Sequence, residues 1–328
     1  MDLFHCHIAA GNFGDDLNRW PWDDILPDWR AVMPGHLLVG VGTLINDRLP
    51  RGMPKVVLGA GVGYGHLPDA ALQAECRFVA VRGPRSARAR TRALGLPPAT
   101  GIVDPAVLIA DLPAFRNIPR TTRPVFVPHH ASVHRHDWAA LCAKAGVDYV
   151  SPEGEARAVI TKIAAAPLVI AESMHAVILA DAFGVLWIGV SISYVFTGAK
   201  WLDWADSLGV RPRIQPLYPM IDSLRARLPV APRALFAGRP AARDATAKPA
   251  HAGGSGARAH DGTVPLHLKI RIALERPQTV ARLRALSRAA GQMSDRAALQ
   301  AAKARYRASL AETFGPQALC RALQESRP

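Results

Sequence analysis

The chain is poor in cysteine and in aromatic residues, and it has no apolar run of membrane-spanning length. Four cysteines occur in 328 residues. Cys6, Cys76, Cys142 and Cys320 stand far apart with no C-x-x-C pair, which excludes a zinc ribbon, a dithiol redox motif and a disulfide scaffold. Reduced, mostly buried thiols are expected. Apolar stretches such as 37–41 and 168–171 fall far short of the roughly 20 residues that cross a bilayer. The opening residues lack the basic region, apolar stretch and small-residue cleavage site of a signal peptide, so a cytoplasmic location is expected. Aromatics make up 6% of the chain and are not interleaved with the C-terminal arginines. Base stacking, and with it a nucleic-acid partner, is therefore not expected.

What the sequence does hold is apolar content and uneven charge. Hydrophobic residues make up 49%, enough for well-buried cores, and the length suits about two domains and an appendage. Of the net charge of +14, the segment from Arg239 onward contributes 16 Lys/Arg against 6 Asp/Glu. Such an excess points to an anionic partner for that segment, such as a phospholipid surface.

Short β-prone runs at 3–8, 37–41, 55–58, 78–81, 125–128, 148–150, 168–171 and 186–190 alternate with helical patterns. This alternation predicts βαβ units in an α/β fold with two Rossmann-like, doubly wound lobes. The continuous apolar runs at 37–41 and 168–171 suit strands covered on both faces. Proline-rich residues 111–124 break the pattern, so lobes are expected at 1–112 and 113–237. Residues 238–265, rich in Ala, Gly, Pro and Arg, read as a flexible linker. At 266–328, apolar residues recur near helical spacing between arginines, which predicts a basic amphipathic helical tail.

Several motifs could carry chemistry. Gly11-Asn12-Phe13-Gly14-Asp15-Asp16 follows a strand and opens a helix. It suits an anion-binding loop, and equally a tight turn whose acidic residues cap the helix. Further glycine turns at Gly40-Val41-Gly42 and Gly59-Ala60-Gly61 end other strands, where ligands of open α/β sheets collect. Neither matches the dinucleotide fingerprint, so no nicotinamide cofactor is expected. At Arg82-Gly83-Pro84-Arg85-Ser86, Arg82 and Arg85 read as guanidinium partners for an anion, with Ser86 capping the next helix or touching that anion. His129 and His130 lie side by side at a strand end, where adjacent residues point to opposite faces. With no further ligand at suggestive spacing, no metal is expected. Finally, Glu172-Ser173-Met174-His175 joins an apolar strand to an apolar helix. His175 there fits both proton transfer in a cleft and a structural brace.

In this order, the Gly11 turn, Gly59-Ala60-Gly61, the Arg82 to Ser86 motif, Asp104-Pro105 and Glu172-Ser173-Met174-His175 leading to Ala180-Asp181-Ala182-Phe183-Gly184 resemble the polysaccharide pyruvyltransferase family, in its exopolysaccharide ketalase branch. The resemblance spans residues 1 to about 210. It implies the two-lobed glycosyltransferase-B architecture and a cofactor-free reaction in which phosphoenolpyruvate meets a sugar or lipid-linked oligosaccharide acceptor in the interlobe cleft. It makes Asn12, Gly14, Arg82, Arg85, Ser86 and Ser173 candidates for substrate binding. His175 becomes the charged proton donor or phosphate stabiliser, and Asp15 or Glu172 the acceptor of a hydroxyl proton. Many members carry arginine where this chain has Ser173, so one donor contact is expected from elsewhere. A lipid-linked acceptor further implies that the basic tail visits an anionic membrane face. The alternative is a sugar-nucleotide-dependent glycosyltransferase of the same architecture.

Overall fold

The computed structural model describes residues 1–88, 97, 100–192, 196–218 and 266–324, with the side chains of 266–272 left aside. The linker expected at 238–265 lies outside the described residues. The first lobe is a four-stranded parallel sheet of β1 (Asp2–Phe4), β2 (Leu37–Val39), β3 (Lys55–Leu58) and β4 (Cys76–Ala80), in the order β1-β2-β3-β4. Short helices α1 (Phe13–Asp16), α2 (Pro21–Ile25), α3 (Trp29–Val32) and α4 (Ala70–Ala74) fill the crossovers. Every residue of β2 and β3 is buried, as continuous apolar runs require. Lys55 escapes the cost of burial because its ammonium donates to Glu75 at 2.7 Å and to the Met53 carbonyl at 2.6 Å.

The second lobe has five parallel strands, β5 (Val125–Val127), β6 (Asp148–Tyr149), β7 (Leu168–Ala171), β8 (Leu186–Ser191) and β9 (Ile214–Pro216), in the order β6-β5-β7-β8-β9. Its helices are α5 (Trp138–Ala145), α6 (Ala156–Ala165), α7 (Met174–Ala182) and α8 (Gly198–Ser207). Strand order reverses between β5 and β7, which opens a crevice beyond their carboxyl ends. The ends of α5 follow local rules: Asp137 accepts from the Ala140 N–H, and Gly146 closes the helix at φ 77°. Glu155 caps α6 by accepting from the N–H groups of Arg157 and Ala158.

Helix α7 is apolar on all sides, and eight of its nine residues are buried. It needs cover on both faces. The second sheet supplies one, and the 3₁₀ helix Pro105–Asp111 at the lobe junction packs against the other. A single continuous apolar cluster therefore runs from Phe13 and Leu38 in the first lobe to Val177 and Trp187 in the second.

The C-terminal helices α9 (Leu266–Leu286), α10 (Arg296–Phe314) and α11 (Arg321–Gln324) differ from the appended tail expected from sequence. Helix α9 packs on α5, and α10 crosses back to β4 and the junction. Leu283, Leu286, Leu299, Tyr306 and Leu310 are all buried, so the apolar stripe belongs to the protein core and is not available to insert into lipid. Much of the basic face is engaged as well. Lys303 and Arg307 pair with Asp111 at 2.7 and 3.3 Å, and Arg296 donates to the Asp181 carbonyl at 2.6 Å. Asp181 itself accepts from Trp187 Nε1 at 2.9 Å and from the Ser294 N–H at 2.7 Å, fastening the turn between α9 and α10.

Tyr306 is fully buried and donates its hydroxyl to the Leu58 carbonyl at the end of β3. Replacing Tyr306 with Phe removes that bond and strands a buried carbonyl, a loss of about 1–3 kcal/mol. Chemical denaturation is expected to show a lower midpoint with an unchanged slope, and an unmoved midpoint would contradict the bond.

Candidate active site

The crevice at the second sheet's switch point is covered by the glycine turn of the first lobe. Asn12 caps α1 by accepting from the Gly14 N–H, and its amide donates to Asp15 at 2.7 Å. The turn is held across the lobes by the Phe13 N–H donating to the Pro152 carbonyl at 2.8 Å. This docking sets Gly14 directly against His175, so that a Cβ at position 14 would lie 2.3 Å from His175 Nδ1. Only a residue without a side chain allows that approach. Asn12, Gly14, Asp15 and His175, distant in sequence, thus form one constellation.

His175 lies on the first turn of α7, with a side chain 12% exposed. Burial, then the nearby Lys200 and Arg82 charges, push its pKa down to about 3. The ligand-free imidazole is consequently neutral at pH 7. Asp15 behaves oppositely. Burial pushes it up to about 6, against the Asn12 hydrogen bond and Lys200, which lower it.

Beside these residues a pocket is lined by Tyr64 from the first lobe and by His129, Glu172, Met174, Phe196, Thr197, Lys200 and Trp201 from the second. Lys200 lies on the first turn of α8, past the carboxyl end of β8, with its ammonium 4.4 Å from the centre of the Tyr64 ring and bonded to the Tyr64 hydroxyl. Its charge also depresses the pKa of His129, to about 3, behind the larger effects of burial and His130. Sequence reasoning missed Lys200. The available signal was its place just after an apolar strand, where the Gly11 and Arg82 motifs were also found.

The remaining expected residues divide. Ser173 caps α7 without a side-chain bond to the helix. Glu172 lines the pocket, but its two oxygens accept from the backbone N–H groups of His129 at 3.2 Å and Ile192 at 3.0 Å. It ties together the ends of β5 and β8. Arg82, fully buried, donates to Asp203 at 2.9 Å, to Thr43 Oγ1 at 3.0 Å and to the Val62 carbonyl at 2.8 Å. Ser86 donates to the same Asp203 from both its hydroxyl, at 2.5 Å, and its N–H, at 2.9 Å. Arg85 pairs with Asp206 at 2.8 Å on the surface. The motif expected to grip an anionic ligand therefore grips the acidic side chains of α8, a clamp between the lobes. Gly61 belongs to this arrangement, because a Cβ there would come 2.3 Å from the Arg82 guanidinium carbon. At these positions glycine makes room for protein side chains.

The histidine pair also departs from expectation. His129 and His130 lie past the end of β5, at the turn into the 3₁₀ helix His130–Arg135, and their rings stand 4.1 Å apart instead of on opposite faces. Among the described residues, no group of three or more His, Cys, Asp or Glu side chains is arranged to hold a metal ion. Nor is any described helix long and apolar enough to cross a membrane.

The sequence matches one family of transferases. Residues 7–194 match the family model for polysaccharide pyruvyl transferase, and the chain belongs to that family of transferases. It is 41% identical over 313 residues to the succinoglycan biosynthesis protein ExoV of Rhizobium meliloti (strain 1021), a match covering 94% of this chain and 98% of that protein. No solved structure shows a significant match.

Proposed function

We propose that this protein transfers the pyruvyl group of phosphoenolpyruvate to a sugar of an exopolysaccharide or its lipid-linked oligosaccharide precursor, forming a cyclic ketal. The observation that carries this reading is a nearly enclosed imidazole, His175, set between the first-lobe glycine turn and a lysine-lined pocket. Within that pocket Lys200 supplies the cation for the phosphate or carboxylate of the donor.

The proton inventory closes with two groups. Asp15, titrating near 6, gives its proton to the methylene carbon of phosphoenolpyruvate, which develops cationic character at the adjacent carbon. The first sugar hydroxyl attacks there and passes its proton to neutral His175. The resulting imidazolium protonates the departing phosphate, and a bound anionic donor favours that charged form by offsetting Lys200 and Arg82. A second hydroxyl then closes the ketal and returns a proton to Asp15. One phosphate leaves, both catalysts are restored, and the two hydroxyl protons end on the methyl carbon and on phosphate.

The positive excess after Arg239 suits electrostatic adsorption to an anionic cytoplasmic leaflet, without insertion of the buried α10 stripe. The test presents lipid-linked oligosaccharides in vesicles of anionic lipid or of phosphatidylcholine. With phosphoenolpyruvate, phosphate release and pyruvate in the product are expected, faster on anionic vesicles. Nucleotide release from nucleotide sugars without phosphate release from phosphoenolpyruvate would overturn the reading in favour of a glycosyltransferase.

A further inference from the structure

Behind His175, on the side away from Gly14, lies a second carboxyl group that the scheme above leaves idle. Asp104 caps the 3₁₀ helix Pro105–Asp111 with one oxygen, which accepts from the Ala106 N–H at 3.0 Å. Its other oxygen, Oδ2, is buried without a hydrogen-bond partner. It faces His175 Nε2 at 3.9 Å, and that nitrogen is likewise buried and unpartnered. Two orphaned polar atoms aimed at each other are costly wherever they serve no purpose, since native proteins satisfy nearly all buried polar groups.

We propose that Asp104 is the positioning carboxylate of His175, accepting a hydrogen bond from Nε2–H so that the ring presents unprotonated Nδ1, the nitrogen against Gly14, to the reacting groups. A small ring movement on substrate binding closes 3.9 Å to a hydrogen bond, as ligand-free sites often require. When Nδ1 accepts the hydroxyl proton, the imidazolium keeps Nε2–H pointed at Asp104, whose negative charge stabilises it. Nδ1 then hands its proton to phosphate, and Asp104 neither gains nor loses one. This is the logic by which a buried carboxylate fixes the tautomer of a catalytic histidine in hydrolytic triads. It also accounts for the glycine at position 14, because any Cβ there would cover the working nitrogen.

The charges facing Asp104 are Arg82, which lowers its proton affinity, and Asp203, which raises it; Tyr306 and His175 also face it. Those facing His175 are Lys200 and Arg82, with neutral His129 beside it. Burial dominates at Asp104 and lifts it from an ordinary 3.8 to about 6. The folded protein thus holds this proton more tightly than the unfolded chain. The associated stability is present below about pH 4 and is lost as pH rises through about 6. A carboxylate kept ionised at that expense is one retained for use.

The test rests on the pyruvyl-transfer reading only in its kinetic arm. Nitrogen-15 NMR of labelled imidazoles, with His175→Gln assigning the signal, reads the tautomer directly. The wild type at pH 8 is expected to carry the proton on Nε2, whereas Asp104→Asn, which presents an amide donor, moves it to Nδ1. Asp104→Asn is also expected to lower kcat for phosphate release at least 100-fold, to leave KM for phosphoenolpyruvate within about threefold, and to melt no lower than wild type at pH 8. An Nδ1–H tautomer in the wild type overturns the proposal whatever the substrate. So does an unchanged kcat in the variant, or a loss of activity that tracks a lower melting temperature. A wild type that shows the Nε2–H tautomer but releases no phosphate from phosphoenolpyruvate instead overturns the reaction assignment and leaves the Asp104–His175 pairing standing.

Discussion

Replacing His175 with Asn is expected to cut phosphate release from phosphoenolpyruvate by about 10²–10⁴-fold, the usual contribution of a positioned general acid or base. The loss should fall mainly on kcat. In the proposed scheme the ring both receives the hydroxyl proton and returns it to phosphate, and an amide can do neither. Donor affinity should change less, because the cation assigned to the donor is Lys200, which lies outside α7. The pH profile gives a second check. Because burial and the Lys200 and Arg82 charges hold the free ring neutral down to about pH 3, His175 should set no acid limb of wild-type kcat/KM above that pH, whereas loss of the Asp15 proton near pH 6 should set its alkaline limb. An Asn variant retaining more than a tenth of wild-type turnover would remove His175 from the chemistry.

The largest stability effect is expected at Asp203. This α8 carboxylate is 2% exposed and accepts from Arg82, the Ser86 hydroxyl and the Ser86 N–H of the opposite lobe. Replacing Asp203 with Ala strands a fully buried guanidinium and frees the N-terminal end of the helical turn at 84–88. Breaking one side of a buried pair costs about 3–5 kcal/mol. For a chain of this size that corresponds to a fall in melting temperature of roughly 10 °C. Differential scanning calorimetry reads it directly, and a midpoint within 1 °C of wild type would show that the clamp contributes nothing net. The stability of the pair itself is a separate matter: an apolar pair of matching shape could match it, since desolvation offsets most of the attraction. Its value lies in setting the position of α8, and hence of Lys200, against the first lobe.

These two positions show where reading the chain residue by residue succeeds and where it stops. His175 was marked by a polar cluster at the junction of an apolar strand and an apolar helix, a local pattern. Arg82 and Ser86 stand out just as clearly, close after the end of a strand. Their partner does not. A guanidinium at the carboxyl end of a parallel strand looks the same whether it meets phosphate or a carboxylate 121 residues away. The glycine turns raise the same difficulty. Gly14 and Gly61 were legible as places of close approach, yet the approaching groups, His175 and Arg82, become visible only when the lobes are docked.

The C-terminal helices make the point most strongly. Their apolar spacing and basic faces were evident, and the same pattern serves a membrane-surface helix or one packed into a core. Burial of Tyr306 and Leu310, and the pairing of Lys303 and Arg307 with Asp111, decide for the core.

By itself the sequence determined the α/β class and the positions of eight of the nine described strands to within a few residues, because hydrophobic period and turn chemistry act over short spans of chain. Tertiary structure alone decided which polar groups face one another. It set Asp104 behind His175, Lys200 in the pocket and Asp203 on Arg82, because such pairings depend on how two sheets dock and no local pattern encodes the distance between them.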